Sequence, residues 1–499
     1  MKTTKKEEIR LNVSCDNFKD VNLDKSVEQN IVNLRTILGN TMDLNVMNII
    51  INKVPCAVVT IEAMVSTAAM SELMFQPMMA LEGTEADSGK KIMDFVTHHS
   101  LMANERIIIY RYGEAITQLF SGFALVFADG VGFAAAFGIQ GYDKKSISTP
   151  TTENNIFGSQ EAFAEVIRTN ISLIRRRMKH PSLRFEMMQV GELSNTDVCI
   201  VYIQGKTDEK IVEQIRKKLS SIKLDSILST GYVHPFLEER SDELLFSEIG
   251  YTEKPDMMCA NLIQGRVGVL IDGTPFALVC PTVFTQNFNT VDDYASKTYY
   301  AGFLKIIRYM AFIFATAFPG IYLAAINYNP EMLNLKLLTN LAASEKTTIM
   351  PLFSELVIIM LLLEIMREAS IRLPHAVGSA MSIAGGLIIG DSAVKSGIIS
   401  SPLLIIVGVT ATASFVLPQL NQQTALLRII FIAAGGFAGF FGIAACSIMV
   451  LANICSQSFM TIPFTSPLSP FRKKQAADVL ARKTYNEMQQ ENTTIKDYS

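Results

Sequence analysis

Five charged residues stand where charge is expensive: Glu355, Glu364, Arg367, Glu368 and Arg372, in and just beyond a strongly apolar stretch. A carboxylate at mid-membrane depth costs about 2.5–3.5 kcal/mol on insertion scales, so such residues are kept where they are used or paired. Glu364 and Arg367 are three apart, and Glu364–Glu368 and Glu368–Arg372 four apart, so on a helix they share one face. Two readings follow. The arginines and lower glutamates mark a membrane–water boundary and pair among themselves, or the stripe lines a water-filled path or a subunit seam. Arg367 and Arg372 can satisfy only the lower two acids, which leaves Glu355 most in need of an aqueous or intersubunit partner.

Catalytic constellations are harder to find. GTEADSGKK (83–91) has the wrong spacing for a phosphate loop, and GVGFAA (130–135) lacks the third glycine of a dinucleotide fingerprint. His98 and His99 are adjacent and cannot share a helix face as metal ligands do; His180, His234 and His375 belong to no cluster of acids or cysteines that suggests a metal site. There is no GxSxG elbow and no nucleophile–base pair. The reading is of a non-enzyme without cofactor or metal.

The elements that must carry the charged stripe divide the chain in two. Up to about residue 302 charged and apolar residues mix as in a soluble protein. From Phe303 to Pro470 charge thins sharply, and between Ser396 and Phe471 the only Lys, Arg, Asp or Glu is Arg428. This tract explains a mean hydropathy of +0.28 and belongs in a bilayer. The expected architecture is an α/β soluble head of two subdomains followed by an all-α polytopic membrane domain. The net charge of −3 gives no sign of nucleic-acid binding. Seven cysteines (15, 56, 199, 259, 280, 446, 455) form no CxxC or CxxH pair and read as buried reduced thiols in a cytoplasmic head. MKTTKKEEIRLNVSC has no apolar core behind its basic start, so no secretory signal is expected. After Phe471 six basic residues face four acids, which places the tail inside as well.

Residues 1–25 are polar and read as flexible. In the first subdomain (26–145), 54–63, 105–110 and 123–129 read as short buried strands, with a helix over 66–81. A polar linker follows, Gly141 to Asn155. The second subdomain (155–300) opens with a helix from Ser159 to His180, its apolar residues Phe163, Val166, Ile167, Ile171, Ile174 and Met178 on one face. Ser159 is its expected cap and Arg175, Arg176 and Arg177 suit its negative end. Strands are expected at 183–190, 197–203, 267–271 and 275–280, and a helix near 208–221; no fixed repeat period is visible. The membrane domain (303–470) should hold helices near 303–326, 352–370, 374–394, 398–418 and 424–452. Five crossings would put the two ends on opposite sides, so one segment, with 374–398 the suspect, should be re-entrant or split. Gly378, Ser382, Gly386 and Gly390 recur every fourth residue, and Gly435 and Gly439 repeat the spacing. Such stripes let helix backbones approach closely, within one subunit or between copies.

GSQEAFAEVIRTNISLIRRRMKHPSL (158–183) resembles the arginine-rich stretch of the A subunits of spore germinant receptors, the GerA family. QGRVGVLIDGTPFALVCPTVF (264–284), DDY (292–294), FSELVIIMLLLEIMREASIRLP (353–374) and SIAGGLIIGDSAVKSGIIS (382–400) continue the likeness, roughly over residues 155–420. Residues 30–140 match only in their α/β pattern. Glu253-Lys254-Pro255-Asp256 departs from the family's Glu-Arg-Pro-Asp and loses a bidentate donor. The resemblance implies a receptor subunit in the spore inner membrane that oligomerises, works with a permease-like B subunit and a lipoprotein C subunit, and conducts ions when nutrient is sensed. A non-conducting scaffold and a secondary transporter with a regulatory head are the rival readings. Around Arg175, Arg176, Arg177 and Asp272 a structural surface is expected, with the arginines pairing with Glu253 and Asp256 across a subdomain or subunit seam.

Overall fold

The computed structural model describes residues 18–239, 244–372, 392–471 and 478–498, apart from short stretches at 85, 99–104, 142–149, 151–152, 154–157, 347, 480, 485 and 488–493. The chain forms two compact units. The head holds residues up to Ser241, Ile249–Thr282 and the terminal Asn492–Ser499; the helical unit holds Asp242–Glu248 and Val283–Glu491.

Two five-stranded antiparallel sheets build the head. The first module runs α1 (Val27–Ile37), β1 (Leu44–Ile51), β2 (Val54–Ile61), α2 (Thr67–Met70), a π turn (Ser71–Phe75), α3 (Gln76–Met79), α4 (Gly89–His98), β3 (Arg106–Ile109), α5 (Tyr112–Leu119), β4 (Phe123–Ala128) and β5 (Ala134–Gly138). Its sheet order is β1-β2-β4-β5-β3. Alternate residues of β2 go to opposite faces: Ala57, Val59 and Ile61 join the core under α1 and α5, Cys56 and Val58 the core under α2 to α4. Both faces are covered, which is why β2 and β4 read as unbroken apolar runs instead of alternating ones.

The second module repeats the plan with α6 (Ile167–Arg177), β6 (Leu183–Val190), β7 (Thr196–Ile203), α7 (Glu209–Ser220), α8 (Thr230–Leu237), β8 (Gly250–Thr252), α9 (Pro255–Ile263), β9 (Val267–Ile271) and β10 (Ala277–Cys280). Its order, β6-β7-β9-β10-β8, is the first order over again. The strands expected around 54–63, 105–110, 123–129, 183–190, 197–203, 267–271 and 275–280 are all present, and α7 fills the helix expected near 208–221.

Three expectations change. Of residues 1–25, the described part is packed, with Phe18 and Leu23 in the core. The helix expected from Ser159 begins at Ile167. Asn170 bonds back to both the N–H and the C=O of Ala164, and Phe163 N–H donates to Glu253 O, which holds 163–166 extended. The helix is capped from a distance, by Asp272 Oδ1 accepting from Ile167 N–H at 2.9 Å, not by Ser159.

The helical unit runs α10 (Asp292–Ala295), α11 (Thr298–Thr316), α12 (Phe318–Tyr328), α13 (Leu335–Glu345), α14 (Leu352–Arg372), α15 (Ala393–Lys395), α16 (Ser401–Phe415) and α17 (Asn421–Ser456). Where a helix was expected over 303–326, α11 and α12 meet at 55° around Ala317, with Pro319 in the first turn of α12. The α17 region, Pro418–Ser456, is the one helix among the described residues long and apolar enough to cross a membrane; the bent α11–α12 pair is a second if taken as one span, and α16 is a shorter apolar helix. Of the suspected segment 374–398, residues 374–391, with Gly378, Ser382, Gly386 and Gly390, lie outside the described residues.

Candidate functional site

In the head, one guanidinium joins the two modules. Arg175, at the end of α6, is fully buried; its Nε donates to Asp43 Oδ2 at 2.7 Å and its Nη2 to Asp43 Oδ1 at 3.1 Å. Asp43 precedes β1 in the first module. The same guanidinium lies 4.9 Å from the ring centre of Phe120 in that module and 4.8 Å from that of Phe185 in the second. Planar bidentate pairing plus stacking is what arginine can do and lysine cannot. A second link is Arg184 of β6, whose Nη1 donates to Leu38 O at the end of α1. Beside this seam lies a cavity of about 470 Å³ with Asp43 and Glu62 on one side and Arg168, Phe185, Asp197 and Cys199 on the other. Arg168 and Glu62 pair across its rim.

The seam therefore rests on Arg175 alone among the three arginines. Arg176 and Arg177 both bond Glu161 of their own module, at 2.5 Å. The early end of the extended 158–166 segment brings Glu161 to the last turn of α6, which a continuous helix from Ser159 would have forbidden. Glu253 Oε1 instead accepts from Glu153 N–H at 2.7 Å, and Glu153 Oε2 accepts from Thr252 Oγ1 at 2.7 Å and Glu253 N–H at 3.2 Å. Burial pushes the Glu153 carboxyl above its ordinary range. Asp256 sits 3.7 Å from the buried Lys254 ammonium. Asp43, Phe120 and Glu161 have no local signal in the sequence, because each acts on a residue far along the chain or in the other module. Burial also pushes up the thiols of Cys56, to about 11, and of Cys259 and Cys280, to about 12.

In the helical unit, Glu364, Glu368 and Arg372 share one face of α14, with Leu361, Ile365 and Ala369 between them, and open on a groove of about 510 Å³ lined, among the described residues, by that helix. Glu364 pairs with Arg367, and Glu368 with Arg372 at 2.5 Å. Glu355 is apart from them. It is 0% exposed, and its Oε2 accepts from Ser400 N–H at 3.2 Å. Arg428, the lone charge of its tract, donates from Nε to Ala315 O at 3.0 Å and so closes the end of α11 where it breaks. Gly435 packs as its spacing suggests: a Cβ there would sit 2.3 Å from Gly320 O of α12. Gly439 does something else. With φ 59° and ψ −144° it kinks α17, in a conformation open to glycine, and Tyr328 Oη donates to the Gly436 carbonyl at 3.0 Å beside it.

Residues just before α11 and just after α17 meet in one aromatic cluster. Phe284 and Phe464 stack edge-on at 5.9 Å, with Phe246, Phe288 and Phe312 in the same cluster. From beyond α17, Asp478 accepts from the fully buried Lys305 Nζ of α11, through its backbone O at 2.7 Å, and from Tyr294 Oη, through Oδ2, at 2.7 Å.

A family model described as Bacillus/Clostridium GerA spore germination protein matches residues 32–494. The chain belongs to the GerA spore germination family. Spore germination protein KA of Bacillus subtilis (strain 168) is 34% identical over 470 residues, 93% of this chain and 86% of that one. Spore germination protein GerLA of Bacillus cereus is 32% identical over 72% of this chain and 73% of its own length. The solved N-terminal domain of the A subunit of the Bacillus megaterium spore germinant receptor GerK3 is 29% identical, covering 53% of this chain and 98% of that one, with a TM-score of 0.41. The GerA match takes in the first module, which the motifs had left bare. It also gives the GerA-like motif at 264–284 a physical role: it is the β9–β10 hairpin, and the Asp272-Gly273 turn caps α6 and bonds Glu165 O.

Proposed function

We propose that this chain is the A subunit of a nutrient-sensing spore germinant receptor, and that copies of it assemble in the spore inner membrane around an ion-conducting path. The observation that carries the reading is the face of α14, where Glu364, Glu368 and Arg372 open on a groove that no other described helix fills. A charged helix face that no other described helix covers fits against water or another subunit. The contact of Phe284, ahead of α11, with Phe464, after α17, favours an even number of crossings, with head and tail both cytoplasmic. Relatives named as spore germination proteins favour a receptor subunit that works with permease-like B and lipoprotein C partners. The pairing of Glu364 with Arg367 and of Glu368 with Arg372 favours a second reading, a non-conducting scaffold, because it cancels the lining charge within one helix.

Ion flux through the purified protein in liposomes separates the two. On the channel reading, Glu364→Gln alters conductance or selectivity at normal protein level, since acidic rings set cation preference. Flux unchanged in Gln variants at both Glu364 and Glu368 would remove the acidic lining, and a strictly monomeric protein would remove the pore.

A further inference from the structure

We propose that Glu355 and Ser400 hold a monovalent cation inside the helical unit. Glu355 is 0% exposed, yet its Oε1 has no hydrogen-bond partner, and no described lysine, arginine or histidine forms an ion pair with the residue. The Ser400 Oγ, on a residue 4% exposed, is likewise without a partner. The two belong together, because Ser400 N–H donates to the other carboxylate oxygen at 3.2 Å. Around them the packing is apolar: Leu352, Leu356 and Ile359 of α14, Ile399, and Leu403 of α16.

A buried carboxylate is costly unless its charge is met. The start of α16, a 15-residue helix, supplies about half a positive charge and one N–H. That leaves a negative residue of charge and two oxygens with nothing to bind. Neighbouring groups leave the deficit unmet. Glu345 of α13 is another acid and Tyr322 of α12 a phenol, so neither supplies a positive charge. Ile432 is the α17 residue packed there, and Lys395 of α15 is exposed. A single carboxylate limits the guest to one charge, since calcium-type sites take six to eight oxygens with several carboxylates among them, and no such acidic group exists among the described residues. The site is separate from the α14 groove and stands whether or not the unit conducts.

The test is thermal unfolding of the purified full chain in detergent, at fixed pH and ionic strength, with sodium or potassium chloride replacing N-methylglucamine chloride. The midpoint of the wild type should rise and saturate with one of the alkali ions, and Glu355→Gln, which keeps the shape without the charge, should not respond. If that variant does not fold, Ser400→Ala decides: it should raise the half-saturating concentration about two- to tenfold, the worth of one neutral ligand. Equal responses in wild type and variant, or an unmoved half-saturation in Ser400→Ala, overturn the site. A wild type that ignores the alkali ions and responds only to pH overturns it in favour of a proton.

Discussion

The two modules of the head share one plan, a helix, a hairpin, crossing helices, an edge strand, a helix and a second hairpin, with strand orders that superimpose term by term. They differ in what interrupts it. Between its second and third strands the first module carries α2 to α4, whose methionines Met70, Met74, Met78 and Met93 simply cover the sheet. At the same place the second module carries α7, α8 and then the segment Asp242–Glu248, which belongs to the helical unit. There Phe246 lies in the aromatic cluster with Phe284, Phe312 and Phe464. The tail also returns to the second module, where Ile495 is buried and its N–H donates to Gln264 O at 2.7 Å. One copy of the plan has stayed a closed body; the other has become the one through which the chain threads.

This division predicts a ranking. Arg175→Ala should cost most, about 3–5 kcal/mol of head stability, because it strands Asp43 as a buried charge and removes the stack on Phe120 and Phe185. Denaturant unfolding of the head should then separate into two transitions; a single unshifted transition would mean the modules hold together without the seam. Phe246→Ala should cost about 3 kcal/mol, felt in the helical unit and not in the first module. Hydrogen exchange would show protection lost around Phe284 and Phe464, and loss spread evenly over β1 to β5 would contradict the asymmetry.

Glu153 offers a test by pH. Burial raises its folded carboxyl above the usual range, so the folded chain keeps a proton that the unfolded chain has released. Its contribution is therefore full below the ordinary carboxylate range and is lost as pH rises through the raised folded value. Unfolding midpoints should fall with pH across that window, and Glu153→Gln should flatten the slope. The smallest effect belongs to Arg176→Ala. It breaks a partly exposed pair with Glu161 inside the second module and should change stability by less than about 1 kcal/mol, leaving module coupling intact.

The sequence carried strands where β-branched residues cluster, as in VPCAVVTI and VGVLI, though LNVMNIII of β1 was not expected as one. It hid β5, AAAFG, because a strand between two neighbours and under helices on both faces needs small residues more than it needs propensity. It hid the repeated plan for a similar reason: the same topology is filled with different side chains, and periodicity reads side chains. The end of α6 was legible and its start was not, since Pro181 and three arginines are local signals while Asp272 reaches Ile167 from across the module. On α14 the four-residue spacing of Glu364, Glu368 and Arg372 is a local signal, and the three line one groove. The burial of Glu355 against Ser400 depends on a helix that begins about 45 residues later and could not be read from spacing.

The chain passes between head and helical unit four times, at 241/242, 248/249, 282/283 and 491/492. No single cut can therefore divide this protein into two whole parts. A fragment ending at Thr282 would carry Leu245 and Phe246 without the rings that cover them and would leave Gln264 without Ile495. Severing the last link would free the tail while leaving every sheet intact. The two bodies are laced by the chain itself, and every crossing must be cut to part them.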